Sequence, residues 1–127
     1  MSTTNNIPGP GSHFISLEDA ADMTALFRTE KENILSTSAK GQNILPNSET
    51  FNRSDIDTLL AKDGCAALRI YYGMKESLTV HAIIVPVNED NEDILSDASP
   101  SESTDNGIVE EAQRCPDLCP PSSALNE

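Results

Sequence analysis

Beyond Leu95 the chain nearly runs out of large apolar side chains: Ile108, Val109, Leu118 and Leu125 are all that follow. A chain of 127 residues has room for one hydrophobic core, and this distribution confines it to the residues before the break. Residues 96–106, Ser-Asp-Ala-Ser-Pro-Ser-Glu-Ser-Thr-Asp-Asn, carry one-sided charge and too little apolar area to offset the entropy of being ordered. They read as a linker, and residues 96–127 as an acidic disordered tail that ends in a compact Cys/Pro motif. Residues 1–13, rich in Pro, Gly, Asn and Ser, read as a flexible arm. Between them lies one domain, residues 14–95.

That domain has few large rings to work with. Aromatic residues are 4% of the chain and Trp is absent, so the core must come from Leu, Ile, Val and Ala. A core of this kind is thin, and self-association into a homo-oligomer is one way to supplement it.

The net charge of −13 belongs mainly to the tail. Residues 1–87 hold ten acids and seven bases, a balance of −3, whereas residues 88–127 hold eleven acids and the single base Arg114, a balance of −10. Nucleic acid is thereby disfavoured as a partner, since neutralising phosphates needs clustered Lys and Arg and the bases here are scattered. The start of the chain has neither a basic nor an apolar stretch, and the apolar run Ala82 to Val87 is far shorter than the ~20 residues of a membrane-spanning helix. No membrane partner is expected. Three cysteines without an export signal point to reduced thiols in the cytoplasm.

The apolar spacing predicts α+β architecture, with two helices packed on a small antiparallel sheet. Ser16 followed by Leu17-Glu18-Asp19 is a helix start, with a hydroxyl cap and acids in the first turn. Met23, Phe27 and Ile34, flanked by Ala20, Leu26 and Leu35, predict a helix over 17–36 with one buried face. After the break at Gly41 and an extended Ile44-Leu45-Pro46, a second helix is expected from a Ser54 cap, with Ile56, Leu59 and Leu60 as its stripe. Lys62 and Gly64 end it. From Cys65 the period becomes two: Cys65–Tyr72 and Leu78–Val87 read as a hairpin around the loop Gly73–Ser77. Symmetric closure pairs Tyr72 with Leu78, Ile70 with Val80, Leu68 with Ala82 and Ala66 with Ile84, placing all eight on the core face. Pro86 puts the end of the second strand at an edge or bulge. Ile94-Leu95 would supply a third strand.

Two sets of residues are candidates for function. On the outer face of that hairpin, Arg69, Tyr71, Thr79 and His81 form a polar cluster, although one solvated face is ordinary for an antiparallel sheet. Ile83 and Val85 continue the same face and make it partly apolar, suited to a covering tail or subunit. The second set is Cys115-Pro116-Asp117-Leu118-Cys119-Pro120-Pro121. Zinc would need four ligands, and beyond Cys115 and Cys119 only Cys65, His13 and His81 are suitable. A Cys115–Cys119 disulfide would close a tight loop, against which the missing export signal argues. A short linear recognition motif accounts for the pattern more simply.

The stretch Cys115-Pro116-x-x-Cys119-x-x-x-Ser123-x-Leu125-Asn126 resembles the C-terminal end of a group of small, uncharacterised bacterial proteins that end similarly after a variable acidic linker. The likeness extends to a hairpin strand of the type Arg69-Ile-Tyr-Tyr-Gly73 and a valine-rich second strand. Where the group often has aromatic residues before the first cysteine, this chain has Ala112-Gln113-Arg114. The resemblance implies no activity; a fixed ending on a variable linker looks like something a partner reads.

Other patterns carry less. Asn88–Asp93 alternates carboxylates as a calcium loop does, but lacks the glycine at the sixth position and the glutamate at the twelfth, so it reads as a solvated turn. Gly9-x-Gly11 has no strand before it and no third glycine. Cys65 with His81 is a conceivable dyad, yet a small thiol beginning a strand is ordinarily core. No catalytic signature is present. The expectation is a non-enzymatic, cytoplasmic protein-interaction module without cofactor, whose contacts with an unidentified protein involve Arg69, Tyr71, His81, Cys115, Pro116, Cys119, Leu125 and Asn126. The alternative is a zinc-binding or thiol-redox module using the C-terminal cysteines.

Overall fold

The computed structural model describes residues 6–95 and 107–127. It has two helices and two small antiparallel sheets, an α+β architecture. In chain order these are α1 (Leu17–Glu30), a 3-10 turn (Thr37–Ala39), β1 (Ser48–Thr50), α2 (Arg53–Leu60), β2 (Ala67–Met74), β3 (Val80–Val87) and β4 (Gln113–Cys115). One sheet pairs β1 with β4 and the other pairs β2 with β3. Among the described residues, no helix is long and apolar enough to cross a membrane. The expected linker 96–106 and residues 1–5 of the expected arm lie outside the described residues. The chain divides into two compact units.

The first unit comprises, of the described residues, 6–9, 51–73, 81–95 and 107–112. Here α2 starts two residues earlier than expected, because Asn52, not Ser54, caps it: Asn52 Oδ1 accepts the Ser54 N–H at 2.8 Å. Leu59 is 1% exposed and Leu60 50%, so the helix buries a narrow stripe. Gly64 at φ +81° turns the chain toward β2, a left-handed geometry that a side chain resists.

Strand β3 carries most of the core: Ile84, Val85 and Val87 are buried. Its outer edge is covered in two places. Ile84 exchanges both backbone hydrogen bonds with Val109, at 2.8 and 2.9 Å, and the Ile94 N–H donates to the Pro86 carbonyl at 2.9 Å. The expected third strand at Ile94-Leu95 is thus reduced to an isolated bridge between Val87 and Asp93.

Strand β2 reverses the expected faces. Leu68, Ile70, Tyr72 and Met74 are 37%, 53%, 79% and 62% exposed, while Ala67, Arg69 and Gly73 are half-buried. The physical reason lies on the Arg69 side. Asp93 and Asn91 bind the Arg69 side chain, and Ile83 lies over Gly73, so close that a Cβ there would meet Ile83 Cδ1 at 2.6 Å. The hairpin also closes later than expected: β2 continues through Gly73 and Met74, and the turn is made by Lys75, whose N–H donates to Thr79 O at 3.2 Å and whose carbonyl accepts the Leu78 N–H at 2.7 Å. Tyr72 and Leu78 therefore do not define the register.

The second unit comprises residues 10–50, 74–80 and 113–127. Helix α1 starts as its sequence dictates, with Ser16 Oγ accepting the Asp19 N–H at 3.0 Å. It ends at Glu30 rather than 36, where Asn33 N–H to Glu30 O and Leu35 N–H to Glu32 O form tighter turns. No residue of α1 is buried, and Met23 and Leu26 are each 65% exposed. The half-buried positions are instead Ala20, Ala21, Thr24 and Arg28. Arg28 and the following Lys31 explain the orientation. Lys31 Nζ donates to Leu45 O at 2.8 Å and Asn47 Oδ1 at 2.7 Å, and Arg28 holds the C-terminus, so the polar and small-residue side of the helix faces inward.

Part of the expected disordered tail is a strand. In β4, Gln113, Arg114 and Cys115 pair with Thr50, Glu49 and Ser48 of β1. Arg114 Nη1 sits 2.9 Å from Glu49 Oε1 and donates to Val80 O at 2.7 Å. These charge-assisted bonds help offset the entropy of ordering so polar a segment. Ile44, whose carbonyl accepts the Val80 N–H at 2.8 Å, and Cys115 are the buried apolar residues of this unit.

Candidate functional site

The residues of the C-terminal motif fold into a small knob within the second unit. Strand β4 delivers Cys115, and the Leu118 N–H reaches back to Arg114 O at 2.9 Å, turning the chain so that Cys119 comes under Cys115. The two form a disulfide with Cα atoms 4.5 Å apart. This corrects the expectation of reduced thiols at both positions, which had no means of foreseeing the turn. The bond is asymmetric in its surroundings: Cys115 is 5% exposed, while Cys119 is exposed. Pro116 is half-buried and Asp117 exposed, and Leu118, at 62%, projects from the loop.

Ser123, Leu125 and Asn126 make a second, self-contained turn. Asn126 Oδ1 accepts the Ser123 N–H at 2.8 Å, and its Nδ2 donates to Pro121 O at 3.0 Å. Ser123 Oγ accepts the Leu125 N–H at 3.2 Å. A side chain that both accepts from and donates to nearby backbone substitutes for secondary structure in a segment too short to form any. Arg28 of α1 then fastens the knob, donating from Nη1 to Leu125 O at 2.8 Å and from Nη2 to Glu127 O. Sequence reasoning missed Arg28. A base in the last turn of a helix is adequately explained by the helix dipole, and nothing local announces a partner 97 residues away.

The other expected cluster does not assemble as one. Arg69 and Tyr71 meet through Asp93: Arg69 Nη1 pairs with Oδ1 and the Tyr71 hydroxyl donates to Oδ2, while Arg69 Nη2 donates to Asn91 O at 3.2 Å. Partial desolvation pulls the Arg69 pKa down, but the bonds and charges of Asp93 and Tyr71 outweigh it and raise the guanidinium above its ordinary value. The group is thus a permanently charged pin for the 88–93 turn. Asn88 Oδ1 shapes that turn by accepting the N–H groups of Asp90 and Glu92 at 2.9 and 3.0 Å.

His81 stands apart from that pin, 6% exposed, with Nδ1 3.0 Å from Glu110 Oε1. Thr79 shares a hydrogen bond with Ser77. Glu110 and Asp93 were legible in the sequence only as members of acidic stretches. Cys65 Sγ donates to Ala67 O at 3.4 Å. Among the described residues, no three His, Cys, Asp or Glu side chains converge as a metal site.

Compared with family models, curated proteins and solved structures, the chain has no match.

Proposed function

We propose that the chain is a non-enzymatic protein-interaction module whose recognition element is the C-terminal knob. The observation behind this reading is a division of labour within the motif. Cys115, Cys119, Ser123 and Asn126 shape and brace the backbone, which leaves Leu118 exposed between Asp117 and Cys119. A pre-shaped loop loses little entropy on docking. An exposed Leu in an acidic setting suits a protein partner with an apolar socket and a basic rim.

The test is capture from native lysate using the full chain, Leu118→Asp and Asn126→Ala, with bound proteins identified by mass spectrometry. The reading expects a specific partner to be lost with Leu118→Asp and weakened with Asn126→Ala, while circular dichroism stays unchanged. Retention of every specific partner by Leu118→Asp would sink it. The outward apolar residues of β2 offer a separate surface for self-association, which sedimentation of Ile70→Lys against the parent chain would read directly.

A thiol-redox module is the second reading, carried by the closed Cys115–Cys119 bond. We place the chain in the cytoplasm, where the glutathione and thioredoxin systems would act on that bond. Zinc is less well supported, because its two best ligands are joined to each other.

A further inference from the structure

Thiol–disulfide exchange is directional: an incoming thiolate must reach one sulfur of the pair, and the other departs as the leaving thiolate. The two sulfurs of this knob belong to residues of very different exposure. Cys115 is 5% exposed and locked in β4, opposite Ser48, with its carbonyl accepting the Asn47 N–H at 2.7 Å. Cys119 is exposed and is followed by exposed residues as far as Leu125.

We propose that Cys119 is a modification site for small thiols of the glutathione type, with Cys115 as its resolving partner. An incoming thiolate attacks Cys119 Sγ, the Cys115–Cys119 bond breaks, and Cys115 leaves as a thiolate with the bonding pair. The product is a mixed disulfide at Cys119. Two exits balance. Cys115 attacks Cys119 Sγ, restoring the original bond and expelling the small thiol; or a second small thiolate attacks the sulfur of the first, giving its symmetric disulfide and leaving Cys115 and Cys119 both reduced.

Two structural features favour the first exit. The β1–β4 pairing holds Cys115 in place independently of the bond, and the Leu118-to-Arg114 hydrogen bond keeps the loop turned, so Cys119 stays near. An intramolecular thiol so placed competes at high effective concentration. This inference rests on the thiol-redox reading only in needing the bond to be closed; it is independent of any protein partner.

The experiment exposes the native, air-oxidised full chain to reduced glutathione, quenches with acid and N-ethylmaleimide, and maps each cysteine by peptide mass spectrometry. Glutathione on Cys119 with maleimide on Cys115 is expected. Because Cys115 re-closes the bond, the native chain should hold only a minor trapped fraction of this adduct; glutathione on Cys115, or no adduct at Cys119 when Cys115→Ser removes the re-closing thiol, overturns the proposal. Maleimide on both cysteines before any glutathione is added overturns the thiol-redox reading and the proposal together.

Single variants, each treated with oxidised glutathione, keep the test independent of the starting bond. Cys115→Ser should accumulate a persistent adduct at Cys119. Cys119→Ser should form its adduct about tenfold or more slowly, because burial shields the remaining thiol, and should catch up in denaturant. Equal native rates would overturn the assignment.

Discussion

Strands β2 and β3 are hydrogen-bonded neighbours of similar apolar content, yet their fates diverge. Ile84 of β3 is 7% exposed and Ile70 of β2 is 53% exposed. Strand β2 largely alternates between half-buried and exposed positions, whereas β3 is buried without a break from Ile84 to Val87; both belong to the first unit at these positions. The difference is what lies beyond each. Val109 and Ile94 bond to the outer side of β3; among the described residues β2 has no strand on its outer side. An alternating pattern thus defines two faces but does not say which one is covered.

Paired substitutions can break this comparison. Ile84→Ala should have the largest effect, a loss of about 2–5 kcal/mol in unfolding free energy, as for other buried large-to-small changes; urea denaturation measures it. Glu110→Ala should come next, at about 1–3 kcal/mol, since it leaves the His81 imidazole buried without its carboxylate. Asp93→Asn should cost about 1 kcal/mol, the loss being limited because the Arg69 and Asp93 side chains are 30% and 21% exposed. Faster amide exchange across residues 88–93 would accompany it.

Ile70→Ala should change stability by no more than about 0.5 kcal/mol. A cost matching that of Ile84→Ala would show that β2 is covered in solution. The loss should then depend on protein concentration, as dissociating copies require.

The second unit repeats the lesson in helix α1. Its N-terminus was legible down to the hydrogen bond, because Ser16, Glu18 and Asp19 act within one turn and need nothing from the rest of the chain. Its buried face was not legible. Met23, Phe27 and Ile34 fall at helical spacing, but Arg28 and Lys31 find carbonyl partners at residues 45, 125 and 127, and a helix cannot turn both sides inward. At the candidate site the motif itself stood out by composition. Its disulfide did not, since pairing depended on the Leu118-to-Arg114 turn, and neither did Arg28, whose partners are remote in sequence.

The sequence by itself determined what depends on near neighbours: the mixed helical and alternating segments, the cap at Ser16, the left-handed turn at Gly64, the concentration of acid beyond residue 88, and the distinctiveness of the Cys/Pro ending. Only the tertiary structure decided which face of β2 and α1 turned inward, that Gln113–Cys115 pairs with Ser48–Thr50, and that Cys115 and Cys119 join. Local propensities act through a few bonded neighbours, whereas burial and pairing depend on which distant groups arrive to satisfy a charge or cover an edge.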